Sequence, residues 1–411
     1  MKKQKTLAML AAVSLGLTMS AFATQTANAT TTPSPTSDKL PVVGAEGDIG
    51  SLREEAAKAG LLIGSGAIKG TTSTADGRPS NYLAEPQFAE VLATQFNSLS
   101  PENDLKWFAV QPAEGVFEFE GLDRLAAFGK ANNMQVKGHG LISGCCNPDY
   151  LKAKINDPVA FRAAMVNHFN TIMKRYKNKM DRWDVMSEAL ETMGGGLQHN
   201  DFYNALGPGY IAEAFRIAHD ADPKAKLFLN ENLVESLPGK RQELYDLVSG
   251  LVADGVPIHG VALQMHQTIQ GPPPGVITEM TNFFHGLGLE VSIAELDVHT
   301  YDPVSQAKIY GDVVSEALDA GIKEISFWGF TDKHLWTWLP GAKPLMFDED
   351  YNPKPAYFAV RDALRNFVAK TAPPTHPLGK PFKHPVGKPS NTSDSVLHPA
   401  TGLAVEGPPA K

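Results

Sequence analysis

Eight short runs rich in β-branched and apolar residues recur along this chain, at 61–68, 96–102, 135–142, 182–188, 226–232, 260–266, 289–298 and 324–330. Each is followed by a longer stretch with apolar residues at helical spacing, at 86–95, 121–132, 158–176, 209–220, 241–254, 275–287, 304–320 and 355–368. Eight strand-helix units predict an α/β fold, the closed (β/α)8 TIM barrel. A doubly wound open sheet is the alternative, but no Gly-x-Gly-x-x-Gly turn follows the first run and no phosphate-binding loop is present. In a barrel the chemistry sits at the C-terminal ends of the strands. Here those ends carry Glu102 and Asn103, His139, Glu188, Asn230 and Glu231, Gln264 and His266, Glu295, and Trp328.

A length of 411 residues suits one large barrel with tails, or two average domains. The start, Met1-Lys2-Lys3-Gln4-Lys5 followed by an apolar run and small residues at Ala27-Asn28-Ala29, reads as a secretory signal over 1–29, with Ala21-Phe22-Ala23 as a competing cleavage site. Residues 30–44 are rich in Thr, Pro and Ser and read as a linker, 45–370 as the barrel domain, and 371–411 as a Pro/Gly-rich disordered tail. The expected product is secreted or periplasmic, with no membrane attachment after cleavage and no partner subunit, hence a monomer. A net charge of −8 gives no reason to expect nucleic acid or an anionic membrane, whereas a neutral polymer remains an easy partner. The tail histidines His376, His384 and His398 lack ligand spacing, and Asn391-Thr392-Ser393 is a short glycosylation-type match. Only two cysteines occur, Cys145 and Cys146, and being adjacent they either close on each other or stay free.

A carboxyl that closes a buried strand costs several kcal/mol if left unpaired in the core, so it should emerge at a polar cleft. Glu188 ends the fourth run and Glu295 stands within the seventh. Strands on nearly opposite sides of a barrel let such carboxyls converge on one sugar, as acid and nucleophile of a glycosidase. His266 is placed to donate to a carboxylate, and Asp297, two residues beyond Glu295, to orient that histidine. Lys106 can donate to a hydroxyl, and Trp107, Trp328, Trp336 and Trp338 could offer flat apolar faces.

These segments resemble the family 10 glycoside hydrolases, the xylanase family built on a (β/α)8 barrel. The specific pieces are Ser100-Pro101-Glu102-Asn103-Asp104-Leu105-Lys106-Trp107, Lys137-Gly138-His139, Trp183-Asp184-Val185-Met186-Ser187-Glu188, Gln264-Met265-His266, Ala294-Glu295-Leu296-Asp297 and Trp328-Gly329-Phe330-Thr331-Asp332-Lys333. The resemblance implies Glu188 as acid/base, Glu295 as nucleophile, and Glu102, Asn103, Lys106, His139, Gln264, Trp328 and Trp336 as sugar-binding residues, with a β-linked polysaccharide as partner and neither cofactor nor metal. Departures cluster around the reacting sugar. Ser187 stands where the family has Asn, while Ser143, Gly144 and Cys146 replace Trp, His and Gln, and Asn230-Glu231-Asn232-Leu233 replaces Asn-Asp-Tyr-Asn. Three functions follow as expectations: a secreted retaining endo-β-1,4-xylanase, a related enzyme on a β-glucan or a glycosylated small molecule, and a catalytically weak carbohydrate-binding barrel. A zinc hydrolase using His139, Cys145 and Cys146 is the remaining alternative.

Overall fold

The computed structural model describes residues 50–73, 81–180 and 182–371. The segments read as leader, linker and, beyond 371, tail, with His376, His384, His398 and the Asn391 triplet, lie outside those residues. The strands are β1 (Leu62–Ile68), β2 (Ser98–Pro101), β3 (Gln135–Ser143), β4 (Arg182–Ser187), β5 (Lys226–Glu231), β6 (Gly260–Leu263), β7 (His266–Thr268), β8 (Glu290–His299) and β9 (Glu324–Phe327). Every ladder between them is parallel. The order runs β1-β2-β3-β4-β5-β6-β8-β9, and β9 pairs with β1, which closes an eight-stranded barrel.

Helices Pro86–Gln95, Glu120–Ala131, Pro158–Tyr176, Tyr210–Ala221, Pro238–Ala253, Val276–Gly286, Pro303–Asp319 and Pro355–Thr371 lie within a few residues of their predicted spans. Local chemistry explains the sharp starts. Proline takes the first helical position, where its missing N–H is not needed, at Pro86, Pro158, Pro238 and Pro303. The Asp157 and Asp302 carboxylates accept the free N–H groups of the first turns from Ala160 and from Val304 and Ser305. Helices Leu52–Lys58, Trp107–Val110, Asp149–Lys152 and Asp201–Leu206 were not predicted, being too short to show a period.

The run 260–266 is not one strand. Strand β6 ends at Leu263, Gln264 still exchanges backbone hydrogen bonds with Glu231 and Glu295 (3.0 Å each), Met265 turns left-handed (φ +69°), and ladder pairing resumes in β7 against the end of β8. His266 therefore does not share a continuous strand face with Gln264. Inside the barrel, Phe228, Ala262 and Ala294 form a small cluster, and the Arg182 guanidinium lies 3.7 Å from the Phe228 ring centre. Gly260 is required there, since a Cβ would stand 2.2 Å from that ring.

Candidate active site

β4 ends at Ser187, so Glu188 lies one residue past the strand, with φ +61°. That left-handed conformation costs a non-glycine residue about 1–2 kcal/mol and persists where surrounding structure over-determines it. Its N–H still donates to the Asn230 carbonyl (2.9 Å), tying the turned backbone to β5. Register shifts in β3–β4, β4–β5 and β8–β9 accompany the approach to the mouth and re-aim side chains there.

Glu295 is 3% exposed. Its Oε1 accepts from Asn230 Nδ2 (2.8 Å), its Oε2 lies 3.3 Å from His266 Nε2, and His139 Nδ1 lies 3.8 Å from Oε1. Burial pushes the carboxyl up, but the charge of His139 and the hydrogen bond and charge of His266 outweigh it and hold the pKa at about 2. Behind it, His266 Nδ1 donates to Asp297 Oδ1 (2.8 Å), and the two residues are ladder partners between β7 and β8. Burial drives the imidazole toward its neutral form, yet the Asp297 carboxylate holds its pKa well above the usual value.

His299 Nε2 lies 3.0 Å from the same Asp297 oxygen, and its ring stacks on Trp338 at 3.6 Å. His266, Asp297 and His299 are close enough to ligate a metal ion. As placed, both rings meet one carboxylate oxygen, and the second nitrogen of His266 faces Glu295, an arrangement that uses His266 as a proton-bearing donor.

Deeper still, the buried Asp184 accepts from His139 Nδ1 (2.9 Å) and Asn230 Nδ2 (3.2 Å), with Lys137 Nζ 3.6 Å away. Burial raises its carboxyl, and Lys137 and His139 more than reverse this, leaving it well below the carboxylate range. Lys137 itself is pushed down by burial and held up by Asp184. Asn230 is the junction: its Oδ1 accepts from Gln264 Nε2 (2.9 Å), and the same amide lies 3.3 Å from Glu188 Oε1. Two side-chain amides thus connect Glu295 to Glu188.

Both glutamates face a cleft of about 220 Å³ that is also lined by Glu102, Asn103, Lys106, His139, Ser187, Gln264, Trp328 and Trp336, together with Ser143, Gly144 and Cys145. Every predicted sugar-binding residue falls in this one cavity, with His266 and Asp297 supporting Glu295 from behind. A larger hollow of about 480 Å³ adjoins it at Asn103, lined by Thr71, Asp104 and Glu118. Trp328 sits edge-on to His139 and His266, and Gly66 leaves room for its ring, since a Cβ there would stand 2.9 Å from the indole. Trp336 and Trp338 are 38% and 44% exposed. Trp107 is not a mouth residue. It is buried, stacked on His168 at 3.8 Å, with its indole N–H given to Tyr150.

Asp184 and Lys137 stood in the sequence only inside motifs, with no role given, His299 was not singled out, and Asn230 was seen only as a strand end and in an altered segment. Their signal was a polar residue at an inward position of a buried strand, which by itself marks only a barrel interior. Cys145 and Cys146 are bonded to each other, which removes two thiolates from the zinc alternative.

Glycosyl hydrolase family 10 matches the chain over residues 51–363. The chain belongs to glycosyl hydrolase family 10. Among its relatives, endo-1,4-beta-xylanase A of Caldicellulosiruptor sp. (strain Rt8B.4) is 36% identical over 69% of this chain and 45% of the relative. Exoglucanase XynX of Acetivibrio thermocellus is 34% identical over 69% of this chain and 28% of its own length. This family 10 chain thus spans less than half of those two proteins, but endo-1,4-beta-xylanase B of Thermotoga neapolitana, 32% identical over 69% of this chain, is covered to 86%. Native xylanase 10B of Thermotoga maritima superimposes with a TM-score of 0.71 at 31% identity, covering 78% of this chain and 99% of that one. Xylanase 10B of Thermotoga petrophila RKU-1, solved in complex with xylobiose, scores 0.71 at 32% identity, over 77% and 98%.

Proposed function

We propose that this family 10 protein is a secreted endo-1,4-β-xylanase that cleaves xylan by double displacement. The observation that carries the reading is the pair of glutamates in one cleft with unlike surroundings. Glu295 is buried among His266, His139 and Asn230 and stays ionised, whereas Glu188 is half-buried and receives one long amide contact. In the first step the Glu188 proton passes to the glycosidic oxygen as that bond breaks, and Glu295 attacks the anomeric carbon to form a glycosyl ester. In the second, Glu188 takes a proton from water, which attacks the same carbon and releases Glu295. His266, held charged by Asp297, stabilises the carboxylate between turnovers. Removal of residues 1–29 outside the cytoplasm, and action as a monomer, complete the proposal.

A second reading, cleavage of β-1,4-glucan, is favoured by the small residues Ser143 and Gly144 in the cleft wall and by similarity to a protein named an exoglucanase. Reducing-sugar release from xylan, mixed-linkage glucan and cello-oligosaccharides, beside a Glu295→Ala control, separates the two. Xylan cleavage that vanishes in the control is the expected result. Release from glucan alone transfers the assignment, and release from none removes both.

A further inference from the structure

The turn after β3 brings to the cleft a group that the double displacement does not use. Cys145 and Cys146 are joined as a disulfide between consecutive residues, both are exposed, and Cys145 lines the cavity that holds Glu188 and Glu295. In the closed barrel β3 stands four strands from β8 in either direction, so this turn lies across the mouth from the strand that carries Glu295.

The turn is held on both sides. The Ser143 hydroxyl donates to the Cys145 carbonyl (2.9 Å), and the Phe108 N–H donates to the Cys146 carbonyl (3.1 Å). Phe108 follows Lys106 by two residues, and Lys106 lines the same cleft. Cys146 has φ +70°, a backbone state that an L-residue with a side chain leaves unless something retains it. A ring closed through the two sulfurs is such a restraint.

The wall's chemistry is distinctive. Apart from Gly144, the other side chains lining the cleft all carry a hydrogen-bonding group, Trp328 and Trp336 through the indole N–H alone. A disulfide has no N–H or O–H to donate, and its sulfurs are polarizable and weakly accepting, so it suits the C–H face of a sugar ring rather than a hydroxyl.

We propose that the Cys145–Cys146 disulfide is a substrate-contacting, specificity-determining wall of the cleft. Closed, it gives a pyranose ring an apolar surface opposite the nucleophile's strand; opened, the turn relaxes and the contact is lost. The proposal rests on the reading of the cleft as a β-glycanase site.

The test compares the full chain untreated, treated with a phosphine reductant, and carrying Cys145→Ala with Cys146→Ala, using xylotetraose as probe. The phosphine attacks one sulfur and the S–S bond breaks. Water then supplies the oxygen of the phosphine oxide and the protons of two thiols, two electrons passing from phosphorus to sulfur. The expected result is a KM raised about fivefold with kcat changed less than about twofold, because a uniform binding contact is removed. The double variant should show the same values with or without phosphine. Should the variant fail to fold, the treated native chain carries the comparison alone.

Unchanged KM in the treated protein overturns the proposal. So does a fall in kcat at constant KM, and so does alkylation of both cysteines by iodoacetamide before reduction. Absence of hydrolysis by the untreated enzyme on every glycan overturns the β-glycanase reading, and this one with it, before either cysteine is altered.

Discussion

At the scale of single residues, the site separates two glutamates by what surrounds each of them. Glu295→Ala is expected to lower kcat on xylan on the order of 10⁴-fold, and Asn230→Ala, which removes the 2.8 Å donor to Glu295, by about 10²-fold. With its pKa lowered from 4.5 to about 2, Glu295 is ionised above that value, so its protonation does not limit kcat/KM down to about pH 3. The sign for stability is the same: the carboxylate's contribution is complete above about 4.5 and is lost as pH falls toward 2. Replacing His266 by Gln removes a lowering influence, so the acid limb of the kcat/KM profile should move to higher pH. An unmoved limb would show that His266 does not tune Glu295. Ser187→Asn is expected to raise xylan turnover if the pocket is a worn xylanase site, and lower or equal turnover would refute that. Glu188, Glu295, His266 and Asp297 were legible because each sits at or near a strand end among polar neighbours. Trp107 misled, since an indole that stacks on a buried histidine and one that waits for sugar look alike in one dimension.

At the scale of elements, the loops beyond β4 and β5 depend on a buried ion pair. Glu231 and Lys240 are both fully buried at 2.9 Å, and Glu231 also accepts the N–H groups of Leu190 and Asn232. Leu190 is two residues from Glu188, so the pair anchors the backbone that presents the acid/base. Burial raises the Glu231 carboxyl and Lys240 opposes the rise. Lys240→Met should leave that carboxyl uncompensated and cost about 3–5 kcal/mol in urea unfolding. A loss within 1 kcal/mol would mean the site relaxes or admits water. Helix positions were readable because apolar spacing is local, although the helix that begins at Pro238 was read from residue 241, its apolar period starting later than its proline. The break at Met265 was not, because a left-handed turn at a residue other than glycine is imposed by pairing with β8, which local sequence does not contain.

At the scale of the whole molecule, the barrel's ends are stitched together by contacts between distant parts of the chain. Tyr357, fully buried in the last helix, donates its hydroxyl proton to the Gly50 carbonyl (2.8 Å), with Gln95 Oε1 3.0 Å from the same oxygen, while Arg365 pairs with Glu55 (2.8 Å). Tyr357→Ala should cost about 3–5 kcal/mol, read as a lowered denaturation midpoint. A midpoint unchanged from the native protein would show that this seam carries little of the stability. Sequence by itself determined the eight repeats, their helical and strand periods and the two glutamates, because periodicity, helix caps and an acidic strand end are local properties of the chain. Only the tertiary structure decided that Asn230 would bridge toward both glutamates, that Asp184 and Lys137 would lie beneath them, and that Cys145 of the disulfide would line the cleft. Those contacts join residues dozens of positions apart, and closure of the barrel is what brings them within hydrogen-bonding reach.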